Sequence, residues 1–104
     1  MTINSRAKGA AGERELAAFL RERGFDSRRG QQFSGGADSP DVTGIPGVHI
    51  EAKRVEAGNP YVWLDQAIRD AGKDKTPVVM HRRNKRGWIA ILRLEDFLPL
   101  VKGA

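Results

Sequence analysis

Apolar positions along the chain switch between a helical period and a period of two, and the switches outline the elements. From Gly9 to Arg23, Leu16, Ala17 and Leu20 recur at helical spacing with Phe19 at the edge, and Gly24 follows as a stop signal. Phe25 to Arg29 reads as a short strand, and residues 30–39 as a loop rich in glycine and small polar residues. Asp41–Ile45 and Val48–Val55 read as two strands joined by a tight Pro46-Gly47 turn, which makes an antiparallel hairpin. Asn59 can cap a second helix with Pro60 at its first position and Trp63, Leu64, Ala67, Ile68 and Ala71 on its inner face. Val78-Val79-Met80 suits a strand buried on both faces. Arg82 to Gly87 forms a basic turn, Trp88 to Leu92 a last strand, and Leu94 to Leu98 a short final helix. The order helix, three strands, helix, two strands predicts an α/β fold, a central mixed sheet flanked by helices. Residues 1–8, polar and basic, read as a flexible arm ahead of a single domain over 9–104.

Composition narrows the partners. In 104 residues there are 18 Lys and Arg against 13 Asp and Glu, a net charge of +5, which favours a polyanion. Cysteine is absent, so disulfides and thiolate metal sites are excluded. No apolar run approaches the roughly 20 residues of a membrane span, and the first residues carry no apolar signal core. A cytoplasmic location, with no membrane partner, is the expectation.

The chemistry concentrates on one strand. Glu51 and Lys53 point to one face while Ile50 and Ala52 point to the other. By itself such a pair is often a surface ion pair worth about 0–1 kcal/mol. A third acid, Asp41 after Pro40, starts the neighbouring strand. On the first helix Glu13 falls within the apolar stripe, whereas Glu15 and Glu22 fall on the opposite face with Arg14, Ala18 and Arg21. An inward carboxylate needs a partner. Either an arginine or a backbone group supplies one, or Glu13 is an active-site acid. Asp41 and Glu51 are hard oxygen ligands, to which the Ala52 carbonyl can add a third. Such a set suits Mg²⁺, with Mn²⁺ able to substitute, and phosphodiester hydrolysis. Two isolated histidines and no cysteine disfavour zinc. Nearby acids oppose the loss of the Lys53 proton, so Lys53 is read as orienting water and neutralising charge. His49 shares the face of Glu51 and Lys53, where it can line the cleft, but it is read as a polar residue at the sheet margin, and His81 is given no role. Trp63 and Trp88 are read as core or dimer-contact aromatics.

Taken together, Lys8-Gly9-Ala10-Ala11-Gly12-Glu13-Arg14-Glu15-Leu16, Gly24-Phe25 leading to Arg29, Ser39-Pro40-Asp41-Val42 and Ile50-Glu51-Ala52-Lys53 resemble the PD-(D/E)xK nuclease superfamily. Within it the chain is most similar to the archaeal-type Holliday junction resolvases and their phage relatives. The resemblance implies a restriction-endonuclease-like core and a metal-dependent endodeoxyribonuclease of DNA recombination and repair. It implies catalytic roles for Glu13, Asp41, Glu51 and Lys53, a metal held by Asp41, Glu51, Ala52 and Glu13, and a site-orienting role for Gln66. It also implies that Arg29 contacts phosphate, and that Ser34 or Ser39 stands for a loop serine near the site.

Further basic residues suited to DNA phosphates are Arg6, Lys8, Arg28, Arg54, Arg82, Arg83, Lys85 and Arg86. No sequence-reading motif is visible, so four-way junctions recognised by structure are the expected substrate. Paired cuts need two active sites, hence a twofold homodimer, with Trp63, Leu64, Trp88 and Phe97–Val101 as contact candidates. Two other readings are a nuclease of the same superfamily acting on linear, nicked or flapped DNA, and a basic nucleic-acid-binding module without catalysis.

Overall fold

The computed structural model describes residues 5–30 and 40–103, with side chains from residue 9 onward. The elements are α1 (Ser5–Arg21), β1 (Val48–Arg54), α2 (Pro60–Ala71), β2 (Thr76–Arg82), β3 (Ile89–Ile91) and α3 (Leu94–Lys102). Residues 5–8, expected in the arm, are therefore helical in backbone, while Ser34 and Ser39 lie outside the described residues along with the Arg6 and Lys8 side chains. Among the described residues no helix is long and apolar enough to cross a membrane.

β1 and β2 are parallel, with Glu51 opposite Val79, Lys53 opposite His81 and Arg54 opposite Arg82. Parallel neighbours need a crossover, and α2 is that crossover. Its start is set by Asn59, whose Oδ1 accepts from the Tyr61 N–H at 2.9 Å, and by Pro60, which lacks an N–H to leave unpaired. β3 returns antiparallel to β2 through the basic turn, so the sheet is mixed, in the order β1-β2-β3.

The two strands expected ahead of the turn are where the structure departs most from expectation. Only Val42 makes ladder contacts there, as single antiparallel bridges to Arg29 on one side and Ile50 on the other. Gly30 N–H donates to Asp41 O at 2.8 Å, Thr43 N–H to Arg28 O at 2.9 Å and Asp41 N–H to Ile50 O at 2.9 Å. Pro40 has no N–H to extend this ladder. At the other end Gly44, with φ of 113°, passes so close to Ser27 that a Cβ would lie 2.5 Å from its Oγ. The observed order is thus α-β-α-β-β-α. The turn itself follows expectation: Val48 N–H donates to Ile45 O at 3.1 Å, Pro46 precedes Gly47, and Gly47 has φ of 79°, the requirements of a type II turn.

The sheet separates two apolar clusters. Ile50 of β1 packs with Leu16, Ala17 and Leu20 of α1 and with Val42, and Ala52, Met80 and Trp88 border this group. Val79 packs with Leu64 and Ala67 of α2, bordered by Trp63, Ile68 and Ile91. Val78 and Val79 are both buried, as a central strand requires. Trp63 and Trp88 thus belong to the core, and the Trp63 ring lies 4.8 Å from that of His81.

Gly12 sets the approach of α1 to the sheet. A Cβ on Gly12 would lie 2.5 Å from the Arg54 Cβ, whereas one on Gly9 would meet nothing within 4 Å. Alanine in a helix interior normally gains about 0.5–1 kcal/mol over glycine. In urea unfolding, Gly9→Ala should show that gain. Gly12→Ala should instead lose about 1–3 kcal/mol, because overpacking against a strand outweighs propensity.

Candidate active site

Asp41 is fixed to β1 twice. Its N–H donates to Ile50 O, and its Oδ2 accepts from the Ala52 N–H at 2.9 Å. That hold puts its carboxylate in hydrogen-bonding contact with the carboxyl of Glu51. The two acids that the sequence placed on neighbouring segments are therefore one unit, formed around the Pro46-Gly47 turn. Ile50 and Ala52 point into the α1 cluster, and alternation sends Glu51 to the α2 side of the sheet.

Glu51 is 3% exposed and His49 1%, and His49 Nε2 lies 3.0 Å from Glu51 Oε1. His49 is thus a buried partner of the central acid and not a residue at the sheet margin. Their spacing of two on one strand already puts both side chains on one face; what the spacing does not show is that this face is buried. His49 is therefore not isolated. α2 contributes a residue the sequence reading missed: Asp70, whose carboxylate joins His49 and Glu51 with ligand atoms all within 4.8 Å of one another. Asp70 lies three residues beyond Ala67 and borders the inner stripe of α2, which is the spacing that could have revealed it. Beside it a cavity of about 340 Å³ opens, lined by His49, Arg69, Asp70 and Asp74 among others.

Burial pushes the Glu51 carboxyl up to about 8, with the charge and hydrogen bond of Asp41 and the charge of Asp70 adding to the rise and Lys53 opposing it. Burial also raises Glu13, with the Asp41 charge adding to it, against the hydrogen bond and charge of Arg29. The mutual influence puts Glu13, Asp41, Glu51, Lys53 and Asp70 in one electrostatic neighbourhood. Glu13 is directed inward as expected, its side chain 16% exposed, and it accepts from Arg29 Nε at 3.1 Å. Both readings of Glu13 meet here: it has an arginine partner, and it stands beside the acids.

The other candidates fall in several places. Lys53 is half-buried on β1 beside Glu51. Gln66 is exposed on α2, one turn before Asp70. Arg28 is exposed and pairs with Asp26 at 3.5 Å. Arg54 and Arg82 both pair with Glu15, so Glu15 is not on a free solvent face as the helical wheel suggested. The close passage of Gly12 over Arg54 brings that edge of α1 down to the ends of β1 and β2. Arg83, Lys85 and Arg86 are exposed in the β2–β3 turn.

The raised Glu51 has a direct thermodynamic signature. Between about pH 4.5 and about pH 8 the folded chain keeps a proton on Glu51 that the unfolded chain gives up. Stability contributed by that proton is complete below pH 4.5 and is lost as pH rises towards 8. In chelator-containing buffer, melting temperature should fall across this window for the wild type. Glu51→Gln, which keeps the shape and removes the titration, should flatten this decline and melt higher than wild type at pH 8. Parallel curves for the two proteins would contradict the assignment.

Residues 4–68 match the family model described as archaeal Holliday junction resolvase (hjc). The matched span takes in Glu13, Asp41, Glu51, Lys53 and Gln66, and ends before Asp70 and the β2–β3 turn. Comparison with curated proteins and comparison with solved structures each returned no match. With more than half of its length matched, the chain belongs to the archaeal Holliday junction resolvase (hjc) family.

Proposed function

We propose that the chain is a metal-dependent endonuclease that resolves four-way DNA junctions by paired phosphodiester hydrolysis, as its family suggests. The observation that carries the reading is the buried contact between Asp41 and Glu51, anchored through the Ala52 N–H and pressed by Asp70. Packing acids together out of water is costly, and a fold retains such a group where a positive charge is to be received. A nucleic-acid-binding module has no use for it, which sets that alternative lower.

The donor set fits a hard divalent cation, since carboxylate oxygens dominate it and Asp41 and Asp70 disfavour the charged form of Glu51. Asp41, Glu51 and the Ala52 carbonyl would hold Mg²⁺ or Mn²⁺, with Glu13 contributing from α1. Such an ion supplies positive charge to the phosphate oxygens and lowers the pKa of a bound water. The chain's own residues then have separable tasks. Lys53 orients the attacking water in line with the bond to be cut and offsets the charge growing on the phosphate. Arg29, held by Glu13, presents its remaining guanidinium nitrogens to the phosphate backbone. His49 holds Glu51 in place from the buried side, and Gln66 stands on α2 where it can steady the exposed edge of the site.

With Mg²⁺ and labelled four-way, flapped and linear DNA, the wild type should cut the four-way junction in symmetric pairs. Asp41→Asn, Glu51→Gln and Lys53→Ala should each lower the rate at least about a hundredfold, the scale expected when a charged active-site group is lost. Equal cutting of linear duplex would move the chain to the linear-DNA reading. Binding without cutting in either metal would leave only the binding module.

Symmetric cutting by a chain with one site calls for two copies. Of the expected contact residues, Leu64 is buried, and Trp63 and Trp88 are partly buried against the core clusters, which leaves them less surface than the final helix offers. α3 remains: Leu94, Phe97, Leu98, Leu100 and Val101 are each 45–68% exposed, and the helix buries none of its residues. Sedimentation should give a dimer at micromolar concentration and a shift to monomer in Leu98→Glu. A wild-type monomer, with and without junction DNA, would rule this arrangement out.

A further inference from the structure

The basic turn between β2 and β3 is held in shape by an acid. In Arg83–Arg86 the Arg86 N–H donates to Arg83 O at 3.2 Å, and Lys85 takes the left-handed conformation with φ of 64°. That conformation is unfavourable for a lysine, so the turn needs outside support. Support comes from the end of β1. The Asn84 N–H donates to both oxygens of Glu56, at 3.0 and 3.1 Å, and Asn84 Oδ1 accepts from Arg54 Nη2 at 3.0 Å. Arg54 in turn donates to Glu56 at 3.4 Å and to Glu15 at 3.2 Å. Arg82 is tied to Glu15 and to the Arg86 carbonyl. Glu15 and Glu56 thus occupy the two arginines nearest the sheet. Arg83, Lys85 and Arg86 make no ion pair among the described residues. A cavity of about 310 Å³ lies along the turn, lined by His81, Arg82, Arg83, Arg86, Gly87 and Ile89. Because β1 and β2 are parallel with Lys53 opposite His81, this turn stands at the end of the sheet that carries Lys53.

We propose that Glu56 is a positioning residue that pre-forms the Arg83–Arg86 turn as a clamp for DNA phosphates flanking the cleft. The proposal rests on the reading that this chain binds DNA. Unpaired, a carboxylate next to a phosphate-binding turn would repel its ligand. Here the charge is countered by Arg54, and what Glu56 supplies is an acceptor for the Asn84 N–H. A turn already in place spares the bound state the cost of ordering it.

Two variants of equal charge separate the acceptor from the charge. Glu56→Gln keeps an oxygen for the Asn84 N–H, and Glu56→Ala does not. Binding to a fluorescent four-way junction is measured in chelator across a salt series. Glu56→Gln should bind as tightly as the wild type or more tightly. Glu56→Ala should bind about threefold to tenfold more weakly than Glu56→Gln, with the same salt slope, because the phosphate contacts are unchanged. Arg83→Ala and Arg86→Ala should each weaken binding and reduce the slope by about one. Exchange of the Asn84 amide should be slow in the wild type and fast in Glu56→Ala. If Glu56→Ala and Glu56→Gln bind equally, or Asn84 exchange is the same in both, the clamp is overturned while DNA binding stands. If the wild type itself binds no DNA, both readings fall.

Discussion

The hydrogen bond from the Ala52 N–H to Asp41 is the contact on which the site depends. Asp41 lies on a segment too short to be a strand, with a single bridging residue, Val42, beside it. Without a fixed partner, its carboxylate would have the freedom of a loop side chain. The β1 backbone removes that freedom and brings Asp41 against Glu51. Burial does most to raise Glu51, and the charge and hydrogen bond of Asp41 add to it. The Asp41 charge also raises Glu13, and Asp70 acts on Glu51 from α2 on the same side of the sheet. A loop acid has been given the precision of a strand residue by one backbone donor.

β1 serves both the core and the chemistry through its pleat. Ile50 and Ala52 meet α1, while His49 and Glu51 occupy the side on which Val79 meets α2. Three consecutive residues, His49, Ile50 and Glu51, are buried, so the apolar and the polar faces are equally shielded. Glu13 reaches the same neighbourhood from α1, on the opposite side of the sheet, because Gly12 allows the helix to lie almost on the strand backbone. The same approach brings Glu15 to Arg54 and Arg82. One missing side chain therefore places two acids of one helix, one towards the site and one towards the basic turn.

Much of this was legible in the sequence, for physical reasons that can be named. The inward Glu13, the Pro46-Gly47 turn, the Asn59-Pro60 helix start and the buried Val78-Val79 run are local or periodic signals, and all recur in the structure. The short strands were overestimated because Phe25 alone in 25–29, and Val42 and Ile45 in 41–45, say nothing of how far pairing extends; Pro40 and Gly44 limit it. Glu15 was misplaced because a helical wheel divides inside from outside but does not show where the edge of a sheet comes level with the outside. The spacing of His49 from Glu51 put it on the same face, but alternation does not show that this end of the strand is buried. Asp70 and the bracing by Glu56 join residues distant in the chain, and such contacts leave little local trace. Ser34 and Ser39 fall outside the described residues.

The Pro46-Gly47 turn also bears on how the molecule assembles. Asp41 and Ala52 are 11 residues apart, and the turn closes that interval with little chain entropy to lose. The parallel β1–β2 pairing must wait for α2 to cross over, and Glu13 must arrive with a separate helix. The heart of the site is thus among the most local parts of the topology. By the usual relation between contact order and speed, it belongs to the early-forming contacts, with the long-range framework closing around it afterwards.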